Sequence, residues 1–138
     1  TFAAQKRLRQ VTASADFSFL GAHISGRNLL GYEIHMGQTD FLEKTIRPFQ
    51  IAQEDNFVSD GAVSSDGLVI GTYIHGIFDD DDFRRSLLNR LRVQRGWSEI
   101  PVQYRYREEK ERAYDRLAET VRASLDMEKL QAIVEGDR

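Results

Sequence analysis

The apolar pattern of this 138-residue chain changes period at Gly76. Up to that glycine, apolar residues alternate with polar ones or form short runs closed by turn residues, as strands do; beyond it they recur every three or four residues, as in amphipathic helices. The order predicts an α/β chain in which β-hairpins are followed by C-terminal helices.

In the strand half, Lys6–Val11 alternates weakly and Phe17–Ile24 is a second short apolar segment. Ser25, Gly26, Arg27 and Asn28 supply turn residues, so Leu29–Gly37 is expected to return as the second arm of an antiparallel hairpin. Along Leu30–Met36 the period of two places Tyr32, Ile34 and Met36 on one face, which should pack, and Glu33 with His35 on a polar one. From Phe41 to Phe57 the pattern is irregular, and Pro48 argues against a continuous helix or a central strand. Asp60-Gly61 and Asp66-Gly67 bracket Ala62–Ser64, predicting a tight hairpin that enters a strand running from Leu68 to His75.

In the helical half, the acidic run Asp79–Asp82 can cap a helix whose Phe83, Leu87, Leu88 and Leu91 form one stripe and which Gly96 stops. A connector with Pro101 precedes a long charged helix from about Glu108, with Ala113, Leu117, Val121 and Leu125 on one face. Asp126 then caps a last short helix closed by Gly136. Residues 1–138 read as one domain without repeats.

The charge balance narrows the partners. With 19 Lys+Arg against 22 Asp+Glu, the net charge of −3 draws the chain neither to nucleic acid nor to an anionic membrane. Tyr104–Arg107 interleaves aromatics with arginines, but beside Glu108, Glu109 and Glu111 it reads as an edge strand or solvated linker. No apolar run has the length of a membrane span, and the N-terminal residues lack the apolar core of a secretory signal. The chain contains no cysteine, which fits a cytoplasmic protein, and it begins with Thr1, as a piece of a longer protein would.

His75 is the leading chemical candidate. An imidazole at a strand's C-terminal end projects into the crevice where open α/β sheets bind ligands, and it titrates near neutral pH. It reads either as a general acid and base or as a hydrogen-bonded histidine at a sheet edge. Glu33 and His35 can form a carboxylate–imidazole pair, line a substrate pocket or belong to a solvated face; at about 3.3 Å per residue they stand nearly 7 Å apart along the strand. The three histidines match no zinc spacing, and the four aspartates lack the alternation of a calcium loop, so no metal is expected. No Gly-x-Ser-x-Gly elbow supplies a nucleophile.

Three motifs in order carry a resemblance: Gly31–Gly37, then Asp60–Val63, then Gly71–Asp79. Together with the helix Asp82–Asn89 they resemble the C-terminal glutamine amidotransferase domain of the cobyric acid synthases. The resemblance implies the C-terminal portion of a flavodoxin-like class I amidotransferase fold. It also implies that the nucleophile elbow, with its cysteine, and an ATP-dependent synthetase domain lie outside this chain. On that basis His75 is the catalytic histidine, and Glu33 and His35 border the glutamine pocket. The implied partners are glutamine and, through the synthetase domain, a corrin; ATP and Mg2+ are expected there and no cofactor here. The chain alone is then expected to be inactive, and its exposed apolar sheet surface to favour self-association.

One position departs from the wider family. Where many class I amidotransferases carry a glutamate two residues beyond the histidine, this chain has Ile77. Either His75 works without a carboxylate partner, or Glu33 or Asp79 orients it. Two other readings stay open: a related cobalamin or cell-wall amidotransferase, and a non-catalytic docking module of the same fold.

Overall fold

Two long strands, β1 (Phe2–Phe19) and β2 (Ala22–Gly37), form an antiparallel hairpin that organises the first part of the molecule. The computed structural model describes residues 2–37, 39–54 and 56–136, with side chains from Leu8 onward. The hairpin turn is Leu20-Gly21, both residues left-handed at φ 50° and 73°. Such a two-residue turn matches the twist of the flanking strands. The expected turn at Ser25–Asn28 is instead a bulge inside β2. Ala13 faces Leu29 and Ala15 faces Gly26, so three steps of β2 span two of β1, and Asn28 takes up the extra residue at φ 54°.

The irregular stretch also resolves into strands. β3 (Phe49–Gln53) pairs with β1 and with β4 (Asn56–Asp60), contrary to the expectation drawn from Pro48. The proline sits just ahead of β3, where its missing N–H interrupts no ladder, and its carbonyl accepts from Asp16 N at 2.9 Å. β5 (Ala62–Val63) and β6 (Ile70–Gly71) make a separate two-stranded sheet. The strand expected from Leu68 to His75 is therefore broken. Its last piece, β7 (Ile74–His75), crosses to the edge of the main sheet, whose order is β4-β3-β1-β2-β7. Buried Asp60 fixes the break, accepting from the Thr72 hydroxyl and, at 3.2 Å, from Tyr73 N.

One face of this sheet holds the core. Val11, Ala13, Ala15 and Phe17 of β1 meet Leu29 and Ile24 of β2 and Phe49 and Ile51 of β3 there. Helix α1 (Asp81–Gln94) closes it with Phe83 and Leu87, and the Phe83 ring meets Phe49 edge-on at 6.1 Å. Each such side chain contributes about 1.5–3 kcal/mol when fully buried. α1 begins as its sequence predicts, with Asp80 accepting from Phe83 N at 2.8 Å, and ends before Gly96 at φ 74°. Leu88 and Leu91 of the expected stripe remain exposed.

The chain divides into two compact units, Thr1–Tyr104 and Arg105–Arg138. The second holds α2 (Tyr106–Ser124) and α3 (Met127–Glu135). Asp126 caps α3 through Lys129 N at 3.0 Å, and Gly136 ends it at φ 82°. Neither helix contains a buried residue, so the Leu117, Val121 and Leu125 stripe is exposed. Among the described residues no helix is long and apolar enough to cross a membrane. The α/β class and the order of hairpins before helices are those the sequence predicts.

Candidate active site

β7 is two residues long, and a missing side chain lets it reach β2. A Cβ at Gly31 would stand 2.5 Å from both the His75 carbonyl oxygen and Ile74 Cγ2. Only glycine permits that approach. In register, Tyr32 then faces His75 and Glu33 faces Ile74. Gly76 follows at φ 76°, which ends the strand directly after the histidine and starts a 3-10 turn, Ile77–Asp79.

His75 therefore lies on the sheet face opposite the core. Its ring stacks on that of Tyr32 with centroids 5.0 Å apart and planes 13° apart. Both side chains are exposed, Tyr32 by 43%. Leu8, Leu30 and Met36 share this face and are exposed as well, so of the set expected to pack Tyr32 and Met36 are uncovered and Ile34 is half-buried. Among the described residues no hydrogen bond or ion pair reaches the imidazole. Ile77 is buried in the core, and the Asp79 carboxylate lies over Gly76, 3.6 Å from where a Cβ would stand.

Glu33 and His35 occupy the other face. Glu33 is 7% exposed, which excludes the solvated-face alternative for its carboxylate. Arg9, its cross-strand partner, donates from Nε to Glu33 Oε2 at 2.6 Å. The register of the hairpin thus supplies the charge that makes burial of this carboxylate tolerable. With the Gln53 amide turned to suit its neighbours, its oxygen accepts from both terminal nitrogens of Arg9 at 2.8 and 2.9 Å. His35 Nδ1 donates to the Gly37 carbonyl at 2.8 Å, and Nε2 stands 3.6 Å from Glu33 Oε1. The His35 ring stacks on Tyr73 at 4.2 Å and 17°, and the Tyr73 hydroxyl shares a 2.7 Å hydrogen bond with Thr39. Glu33, His35, Thr39, Tyr73 and Asp60 border a cavity of about 420 Å³.

The two candidate groups from the sequence thus separate. Glu33 and His35 stand together, bound to Arg9 and Gly37, while His75 faces away from them across the sheet. Glu33 does not orient the His75 ring. The pairing of Tyr32 with His75, of Arg9 with Glu33 and of Tyr73 with His35 depends on cross-strand register, which no local pattern reveals. His23, at the far end of β2, lies 3.7 Å from Asp16 and joins neither group. Among the described residues no cluster of three or more His, Asp or Glu side chains can hold a metal ion.

Residues 1–83 match the CobB/CobQ-like glutamine amidotransferase domain family. The cobyric acid synthase of Citrobacter koseri is 38% identical over 139 residues, covering 99% of this chain and 28% of that protein. That of Caldanaerobacter subterraneus subsp. tengcongensis is 43% identical over 141 residues, covering 94% of this chain and 28% of the relative. The Salmonella heidelberg cobyric acid synthase is 38% identical over 136 residues. The chain spans little more than a quarter of the length of these relatives. No solved structure matches it.

Proposed function

This chain belongs to the CobB/CobQ-like glutamine amidotransferase domain family, and we propose that it is the histidine-bearing part of the glutamine-hydrolysing site of a cobyric acid synthase. The observation that carries the reading is the setting of His75. Two glycines hold it at the end of a strand on an uncovered sheet face, with its ring free of polar partners among the described residues.

An imidazole so placed can exchange protons with groups brought to that face. The chain itself has no cysteine, so the thiol belongs to another segment of the complete protein, seated over Leu8, Leu30, Met36 and His75. The thiolate attacks the side-chain amide carbon of glutamine. Collapse of the adduct breaks the C–N bond, with His75 protonating the departing ammonia, and leaves a γ-glutamyl thioester. His75 then takes a proton from water as that water attacks the thioester, releasing glutamate and the thiol. The ammonia amidates corrin carboxylates in the synthetase part, where ATP and Mg2+ are handled; no residue of this chain is assigned to them.

Glu33 and His35, on the opposite face, are assigned to holding the β2 edge rather than to touching glutamine at the reacting atoms. The test is His75→Ala in the complete enzyme, with amidation driven by glutamine or by ammonium chloride. Glutamine-driven turnover should fall by about 10²–10⁴-fold while ammonia-driven turnover is kept. Retained glutamine use rejects the assignment and favours a docking module.

A further inference from the structure

We infer that Tyr32 is the positioning residue of His75, its ring taking the place that a carboxylate holds in triad-type sites. The inference rests on the reading of His75 as the acid and base. Four observations support it. Tyr32 and His75 are direct cross-strand partners, one of only two residue pairs that join β7 to β2. Their rings lie nearly parallel at 5.0 Å, within the offset-stacking range. The residue two places beyond His75, where a carboxylate would be sought, is Ile77, and it is buried in the core. Tyr32 itself is absent from that core and remains 43% exposed, so the hydrophobic interior does not explain its ring.

The chemistry suits the partner. During the proposed reaction the imidazole alternates between neutral and protonated forms. A carboxylate would favour one of them, whereas an aromatic face stacks on the neutral ring and attracts the cation through its quadrupole. Stacking fixes the plane of the imidazole while leaving both ring nitrogens in the open. A histidine without it samples several rotamers at an exposed position, and fewer encounters present the nitrogen to the thiol.

The experiment compares Tyr32→Phe, Tyr32→Leu and Tyr32→Val in the complete enzyme, with His75→Ala alongside. The two ringless variants differ in strand preference, so that at least one folded form is read, as judged by an unfolding midpoint in urea close to the parent's. Tyr32→Phe should match the parent. The ringless variants should lose about tenfold in kcat for glutamine hydrolysis, with KM for glutamine changed by less than about twofold. Unchanged kcat in a folded ringless variant overturns the inference, and so does a Tyr32→Phe variant as impaired as Tyr32→Leu, which would assign the effect to the hydroxyl. If His75→Ala keeps glutamine hydrolysis, the underlying reading fails instead, whatever the Tyr32 variants do.

Discussion

Two histidine–tyrosine stacks sit on opposite sides of the same sheet edge. On one side His35 lies on Tyr73 at 4.2 Å, and on the other His75 lies on Tyr32 at 5.0 Å. The rings are alike and their surroundings are not. His35 is tied to the Gly37 carbonyl and lies beside the Arg9–Glu33 pair, and Tyr73 is tied to Thr39. The His75 pair has no such ties among the described residues and faces an exposed apolar surface. A group whose lone pairs and protons are all spent on neighbours serves stability; one held only by ring contact keeps its nitrogens for a reaction. His35 lies half-buried on β2 with polar partners, and His75 lies exposed on the edge strand β7 without them.

Gly31 is the point where the two sides depend on each other, and it offers the largest expected effect. In Gly31→Ala the new methyl group meets the His75 carbonyl and Ile74 at 2.5 Å, and backbone cannot yield as a flexible side chain can. Overpacking of this kind costs typically 1–3 kcal/mol, and the backbone contact places this site near the upper end. Equilibrium urea unfolding should register the loss, and glutamine-driven amidation should fall with it because β7 carries His75. A variant of parental stability would mean that β7 is not held by this approach.

Next in size is the contrast between neighbouring residues on opposite faces of β1. Arg9→Ala leaves Glu33 buried without its charge partner. A fully buried pair loses 3–5 kcal/mol on such a truncation; with the Arg9 side chain 36% exposed, about 2 kcal/mol is expected. Gln10, which faces Tyr32 on the open side, is exposed, and Gln10→Ala should change stability by less than about 0.5 kcal/mol. Urea midpoints of the two variants sharpen the comparison directly. Equal effects would mean that the Glu33 face is no more closed than the other.

The sequence carried much of this, and its failures share a cause. Asp80, Asp126, Gly96 and Gly136 mark helix ends through bonds within a few residues, so their signals were readable in place. The alternation at Tyr32–Met36 correctly separated two faces. Which face is inward depends on Arg9, twenty-four residues away, and on whatever covers the apolar side. Ser25–Asn28 has turn composition but serves as a bulge, while the actual turn uses Leu20, a residue with no turn preference. The break at Thr72-Tyr73 likewise depends on distant Asp60, and it sends Tyr73 and His75, two positions apart, to opposite sides of the sheet. Candidate residues were therefore legible, and their grouping was not.

The smallest effect concerns the turn between β5 and β6. Asp66 accepts from the Ser64 hydroxyl at 2.5 Å and from Leu68 N at 3.0 Å, and these bonds hold its carboxyl below the usual 3.8, the Ser64 bond contributing most. The folded state thus binds this proton less readily than the unfolded chain. The stabilisation is complete above the unfolded value and is lost as pH falls through the lower folded one. Asp66 is fully exposed to solvent, so the effect belongs to the turn and not to global stability. Hydrogen exchange at the Leu68 amide should quicken on acidification, after correction for the intrinsic rate, and Asp66→Asn should flatten that dependence. The Tyr32–His75 ring-current shift, followed at the same pH values, reads whether the turn and β7 act together. A shift that moves in step with Leu68 exchange would make the open stack part of the turn's cooperative unit, whereas a steady shift assigns its order to Gly31 and the β2 register.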